Sequence, residues 1–148
     1  IAKEKKHTFI STGMSSLKEI KSAISIFKKN KCKFTILHCI SSYPSNEEDL
    51  NLLCIPKLKE IFKNDIGYSG HEDSVSPSII ASLLGAVVIE RHITLDRSMW
   101  GTDQAASLSE DGIKYLMSVI KKIPKMLGNG KKKFSFEEKK LLNKFKYW

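Results

Sequence analysis

The chain has 148 residues, 41% of them hydrophobic and 28% charged, with a net charge of +9. That balance suits one packed domain rather than disorder, and no apolar run approaches the roughly 20 residues of a membrane span. The positive charge comes mostly from lysines scattered along helix faces, without an aromatic-interleaved basic motif, so it reads as solvated surface that favours an anionic substrate rather than nucleic acid.

The opening residues, Ile1-Ala2-Lys3-Glu4-Lys5-Lys6, are polar and lack the apolar segment of an export signal. No membrane partner and a cytoplasmic setting are expected, and a first residue other than Met points to a piece of a longer protein. Thr8-Phe9-Ile10 reads as a short strand ending in Ser11-Thr12-Gly13. Ser16-Leu17-Lys18-Glu19 reads as a capping box, and Leu17, Ile20, Ile24 and Phe27 recur at helical spacing behind it. Phe34–Ile40 is a buried-strand run, followed by the loop Ser41-Ser42-Tyr43-Pro44-Ser45. The three cysteines, Cys32, Cys39 and Cys54, form no CxxC pair. Without an export signal they are expected to be free thiols of a reducing compartment.

Leu50, Leu53, Leu58, Ile61 and Phe62 mark a second helix, with Pro56 near its start. Ile66–Ser69 reads as a third strand. Ser76 is expected to cap a third helix that runs through Ile79, Ile80, Leu83 and Leu84 to Gly85. Ala86–Glu90 reads as a fourth strand. Ser109 precedes a last helix carrying Ile113, Leu116 and Ile120, which Pro124 kinks or ends. Residues 131–148 form a basic amphipathic tail, either a closing segment or the lead into another domain, and residues 1–130 make up the main body.

Strand ends near Ser11, Ser41, Ser69 and Glu90 recur at intervals of 30, 28 and 21 residues. Four strand–helix units at this pace predict an α/β fold with a parallel sheet and right-handed crossovers. They could form a small open sheet or half of an eight-stranded barrel. In either case ligands gather at the carboxyl ends of the strands.

Residues two apart on a strand share a face. Extended geometry would therefore send Ser41 with Tyr43, Ser69 with His71, and Glu90 with His92 into one space, joined by hydroxyls from Ser11 and Thr12. His71 and His92 are candidate metal ligands only if neighbouring strands bring them together; otherwise each is a hydrogen-bonded strand-end histidine. His38 sits mid-run as a satisfied core histidine, and His7 is expected at the surface. Arg91 points away from Glu90 and is a poor partner for it. Glu72-Asp73-Ser74 reads as a surface turn. Ser11-Thr12-Gly13 ahead of a helix suits phosphate as well as ordinary capping.

"FISTGMSSLKEI", "ILHCISSYPSNEEDLNL", "IGYSGHE" and "VVIERHITLDRSMWGTDQAASL" together resemble the sialic acid synthases, the phosphoenolpyruvate-condensing enzymes that make nonulosonic acids. The match runs in order from about Phe9 to about Leu127. The last block looks most like the N-acetylneuraminate type, and pseudaminic and legionaminic acid synthases share much of the pattern. The resemblance implies a (β/α)8 barrel of which these units are strands five to eight, followed in the family by a small antifreeze-like domain, in a homodimer.

It further implies that Ser11 and Ser69 contact phosphoenolpyruvate and that Tyr43 lines the sugar site. Ser41 stands where many bacterial members carry asparagine, a substrate contact. His71 and His92 would hold Mn²⁺ or Mg²⁺, and Glu90 and Asp103 would bind hydroxyls of the acceptor, N-acetylmannosamine. Glu90, His71 and His92 are then the catalytic candidates. In the family the third block carries glycine or aspartate at the position of Gly70, which fits a side facing away from the site. Two other readings compete. A Schiff-base aldolase would need a strand-end lysine, which these strands lack. A non-catalytic half-barrel or basic binding module would have neither substrate.

Overall fold

A computed structural model describes residues 1–146. Tyr147 and Trp148, at the end of the expected tail, lie outside the described residues. Four strands, β1 (Thr8–Ser11), β2 (Phe34–Cys39), β3 (Ile66–Gly70) and β4 (Ile89–Arg91), form one sheet in the order β1-β2-β3-β4. Every pairing is parallel. Helices α1 (Leu17–Lys29), α2 (Cys54–Phe62) and α3 (Ser76–Leu83) connect successive strands. After β4 come α4 (Glu110–Ile120), α5 (Ile123–Leu127) and α6 (Phe136–Phe145).

The register sorts side chains into two faces. Ile10, Ile36 and Ile66 align across the sheet, and Ile36, Ile66 and Tyr68 enter a core with Ile20 and Ile24 of α1, Ile55, Leu58 and Phe62 of α2, and Ala81 of α3. The other face carries Ser11, Leu37, Cys39, Gly67, Ser69 and Glu90. Strand β2 is buried along nearly its whole length, as expected of a strand covered on both sides.

Local chemistry accounts for the helix ends. The Ser16 hydroxyl and the Glu19 carboxylate form the expected capping box at α1. Ser109 caps α4 by accepting the Gly112 N–H at 3.3 Å. Helix α4 ends at Ile120, and Pro124 sits in the first turn of the short α5 that begins at Ile123. Helix α3 departs from expectation: its N-cap is Val75, with no side-chain cap, and Ser76 is its first helical residue. Its buried face is Pro77, Ser78 and Ala81, while Ile80 and Leu83 stay exposed. Small residues lie against the strands because α3 packs on β3 and β4 at close range.

The fourth strand starts later than expected. Ala86–Val88 lie outside β4, although the Val87 N–H donates to Ile66 O at 2.9 Å and Val88 O accepts from Tyr68 N–H at 2.8 Å. Gly67 permits this approach, since a Cβ there would stand 2.4 Å from Leu37 Cδ2 and 2.8 Å from Val88 O. The tail forms a helix with its own capping box at Ser135 and Glu138. Its Phe136, Leu141 and Phe145 remain exposed. No described helix is long and apolar enough to cross a membrane.

Candidate functional site

The expected polar residues gather at the carboxyl ends of the strands. Ser69 and Glu90 are direct register partners, and the Ser69 hydroxyl donates to Glu90 Oε1 at 2.7 Å. One residue beyond each strand, the same parity carries His71 and His92 to the Ser69–Glu90 face. Their ring centroids lie 5.2 Å apart. Tyr43 joins them, 4.2 Å from the His71 ring and 5.7 Å from the His92 ring.

The backbone fixes the tautomer of His71. Its Nδ1 lies 2.8 Å from the carbonyl oxygen of Ile40. A carbonyl only accepts, so Nδ1 carries the proton and Nε2 presents a lone pair. The Ser45 N–H donates to the His71 carbonyl at 3.0 Å, which clamps the residue to the loop after β2. His92 is held from the other side. Its carbonyl accepts the Leu108 N–H at 2.8 Å, and its Nδ1 lies 3.6 Å from Asp103 Oδ2. A carboxylate beside one imidazole nitrogen orients the ring and favours a ligand at the other.

Partial burial raises the Tyr43 phenol above the ordinary tyrosine value, and the carboxylates of Asp103 and Glu90 add to this. Ser41 lies against the turn after β1: a Cβ on Gly13 would stand 2.8 Å from Ser41 Oγ. Gly13 has φ +40°, a left-handed conformation that favours glycine. Ser11 stands exposed at the end of β1 on the same face. Thr12 does not contribute a free hydroxyl. It is buried, donates to Leu37 O at 3.0 Å and accepts the Cys39 N–H at 3.2 Å, so it ties β1 to β2. His38 is the expected core histidine, bonded through Nε2 to Leu50 O at 2.7 Å.

Among the described residues no group of three or more His, Cys, Asp or Glu side chains could hold a metal ion. The candidate donors are the two imidazoles, with the Asp103 carboxylate beside one of them. Two imidazoles brought this close, that of His71 buried and that of His92 partly exposed, would fit a divalent ion whose remaining positions go to water or substrate. The residues present thus suit the group, as a pair rather than a closed cage.

A second polar cluster lies on the opposite face, directly behind the histidines, and was not expected from the sequence. Glu72 is fully buried and pairs with Arg91 at 2.8 Å. Arg91 also donates to the Ser74 carbonyl at 2.9 Å, to Ser78 Oγ at 3.0 Å and to the Glu72 carbonyl. The Tyr68 hydroxyl donates to Glu72 Oε2 at 2.8 Å. Burial pulls the Arg91 guanidinium below its ordinary value, and Glu72 opposes that shift. Burial and then the Glu72 charge drive the Tyr68 phenol well above its own. The turn does begin after His71, but its first residue points inward. Gly70 faces Arg91 across the strands and leaves room for the carboxylate; the sequence alone carries no signal of the pair.

Known proteins resemble this chain in sequence and fold. The NeuB family profile matches residues 1–132. The N,N'-diacetyllegionaminic acid synthase of Campylobacter jejuni is 43% identical over 146 residues, 97% of this chain and 44% of that protein. The human N-acetylneuraminate-9-phosphate synthase is 39% identical over 129 residues, 86% of this chain and 36% of that protein. Among solved structures, the N-acetylneuraminic acid synthetase of Leptospira borgpetersenii, in complex with citrate, matches 99% of this chain and 53% of its own, with a TM-score of 0.84 at 37% identity.

The chain thus spans less than half the length of these two curated relatives. Its four strand–helix units correspond to half of a (β/α)8 barrel. Relatives of the N-acetylneuraminate and legionaminic types match at similar identity, 39% and 43%, so the comparisons place the chain among these synthases without choosing between the sugars. With the profile covering most of the chain and the fold shared throughout, this chain belongs to the NeuB family of sialic, legionaminic and pseudaminic acid synthases.

Proposed function

We propose that this chain supplies the metal-binding and sugar-binding side of a nonulosonic acid synthase that condenses phosphoenolpyruvate with N-acetylmannosamine or a related N-acyl sugar. The observation that carries the reading is the convergence of Tyr43, His71 and His92, with ring centroids 4.2 to 5.7 Å apart, beside the Ser69–Glu90 pair. In the reaction the enol methylene carbon forms a bond to the aldehyde carbon of the open-chain sugar. A water adds at the neighbouring carbon, and phosphate leaves with cleavage of its C–O bond.

His71 and His92 would hold the divalent ion, Mn²⁺ ahead of Mg²⁺ because imidazole donors suit the softer ion. When bound, that ion supplies a Lewis acid for the aldehyde oxygen, where negative charge develops. The Ile40 carbonyl keeps the proton of His71 on Nδ1, and Asp103 steadies His92. Glu90 and Asp103 accept hydrogen bonds from sugar hydroxyls. The Ser69 proton is committed to Glu90, so Ser69 orients that carboxylate. A contact from Ser69 to phosphoenolpyruvate requires the hydroxyl to turn away from Glu90. Ser11, Ser41 and the lysine-rich field favour the anionic donor, and Tyr43 covers the metal side of the sugar. A homodimer and a cytoplasmic location belong to the same reading.

The test is metal-dependent phosphate release by the full-length protein, with N-acylated sugars as acceptors and the product identified by mass spectrometry. His71→Ala and His92→Ala should each abolish turnover and lower Mn²⁺ affinity. Unchanged turnover in both would overturn the metal assignment, and a lysine adduct trapped with pyruvate and borohydride would favour the aldolase reading.

A further inference from the structure

The β3–β4 ladder stops one residue short of the two histidines. Its last register pair is Gly70–Arg91, and neither His71 nor His92 belongs to a strand. Each is anchored to a different neighbour, His71 to Ile40 and Ser45, and His92 to Leu108. Neither set of anchors ties one histidine to the other. Beyond the ladder the two chain segments are joined by the buried Glu72–Arg91 pair, each partner adjacent in sequence to one histidine, and by the exposed Arg97–Asp73 pair at 3.1 Å, which is further along the chain from both.

That pair is built into the interior. The side chains of Arg91 and Glu72 are 4% and 0% exposed. Through Arg91, β4 holds the Glu72 and Ser74 carbonyls and Ser78 Oγ, and so the whole turn that follows His71. Gly70 makes room for it: a Cβ there would stand 2.7 Å from Glu72 Oε2 and 2.8 Å from Oε1. A buried ion pair is a poor source of net stability, since both ions lose their water. Its place directly behind a two-imidazole site calls for another role.

We propose that Glu72 and Arg91 are positioning residues: the pair continues the β3–β4 register past the end of the ladder and thereby sets the spacing of the His71 and His92 rings. The consequence for metal affinity rests on the metal reading above; the consequence for ring geometry does not.

The experiment uses the full-length protein with ¹⁵N-labelled histidine, the His71 and His92 resonances being assigned by single substitutions. Two variants are compared with the parent. Glu72→Gln keeps the shape and removes the charge, and the double variant Glu72→Met/Arg91→Met removes both ions and leaves no orphan charge. In a variant that keeps the parent's circular dichroism, the His71 and His92 imidazole resonances should move and the cross-relaxation between the two rings should weaken. His7, far from the pair, serves as the control and should stay in place. Mn²⁺ affinity, read by electron paramagnetic resonance, should fall at least tenfold. Unchanged His71 and His92 resonances in a folded variant would overturn the proposal. So would loss of folding in both variants, which would assign the pair to the fold alone. If the parent binds no Mn²⁺, the metal reading fails while the ring resonances still decide this one.

Discussion

At His71 the carbonyl of Ile40 decides which nitrogen carries the proton, and the freedom of Nε2 follows from that one contact. Gly70, immediately before it, is set by an equally specific demand. Its α-hydrogen points at the Glu72 carboxylate and at Tyr68 Cε1, where a Cβ would stand at 2.7 Å. The position does face away from the site, as the sequence suggested, but in this chain it is filled by Glu72 and is not a vacant outer surface. Gly70→Ala should therefore cost ~1–3 kcal/mol through overpacking, measured as a lower urea midpoint; an unchanged midpoint would refute the close approach. Glu72→Ala should cost more, ~3–5 kcal/mol, because it leaves the Arg91 charge buried and unpaired. A loss under ~1 kcal/mol by the same measurement would mean that water reaches the guanidinium. Neither residue was legible as important. An acid between a histidine and Asp73-Ser74 has the composition of a surface turn, and only the cross-strand register reveals its partner.

The four strand–helix units were readable because buried strands appear as continuous apolar runs and their helices as three-to-four-residue periodicity. Ends were less readable. Strand β4 begins at Ile89 although the apolar run begins at Ala86, since Val87 and Val88 bond to β3 before regular pairing sets in. Helix α3 starts without a side-chain cap because Pro77 already fixes φ in its first turn. The α1 cap was fully readable, and it is testable. Ser16 accepts the Glu19 N–H, and the Glu19 carboxylate accepts from Ser16, so Ser16→Ala should cost ~1 kcal/mol in thermal unfolding. Those bonds hold the Glu19 carboxyl below the ordinary glutamate value. A depressed folded value means that its contribution is present at neutral pH and lost as pH falls through that value. In Ser16→Ala the acid limb of the stability profile should flatten; an unchanged limb would remove Glu19 from the account.

For the whole molecule the decisive fact is the order β1-β2-β3-β4, in which β1 and β4 each pair on one side only. In a closed barrel both edges would be paired and the inner face filled. Here Phe9 of β1, on the Ser11 face, is half exposed, and Leu95 and Trp100 after β4 are almost wholly exposed. Parallel edge strands with unpaired N–H and C=O groups are templates for further pairing, and the exposed apolar side chains add a driving force of ~25 cal/mol per Å² covered. The net positive charge opposes association, but salt screens it beyond roughly 10 Å at 0.1 M. The 148-residue chain should therefore associate with itself, and more strongly as salt rises. Sedimentation velocity across the micromolar range, at low and high salt, reads this directly. A monomer throughout would mean that the edges are protected by their own twist and by flanking lysines. The same geometry bears on catalysis. On the proposed reading, a site at the strand ends of half a barrel is open on the side where the other four strands would stand, so water would not be excluded from the aldehyde and the donor would have no second wall. The isolated chain should bind Mn²⁺ yet release no phosphate from phosphoenolpyruvate above background, whereas the full-length protein should. Turnover by the purified 148-residue chain would show that these four strand ends, or a self-associated pair of them, suffice for the chemistry.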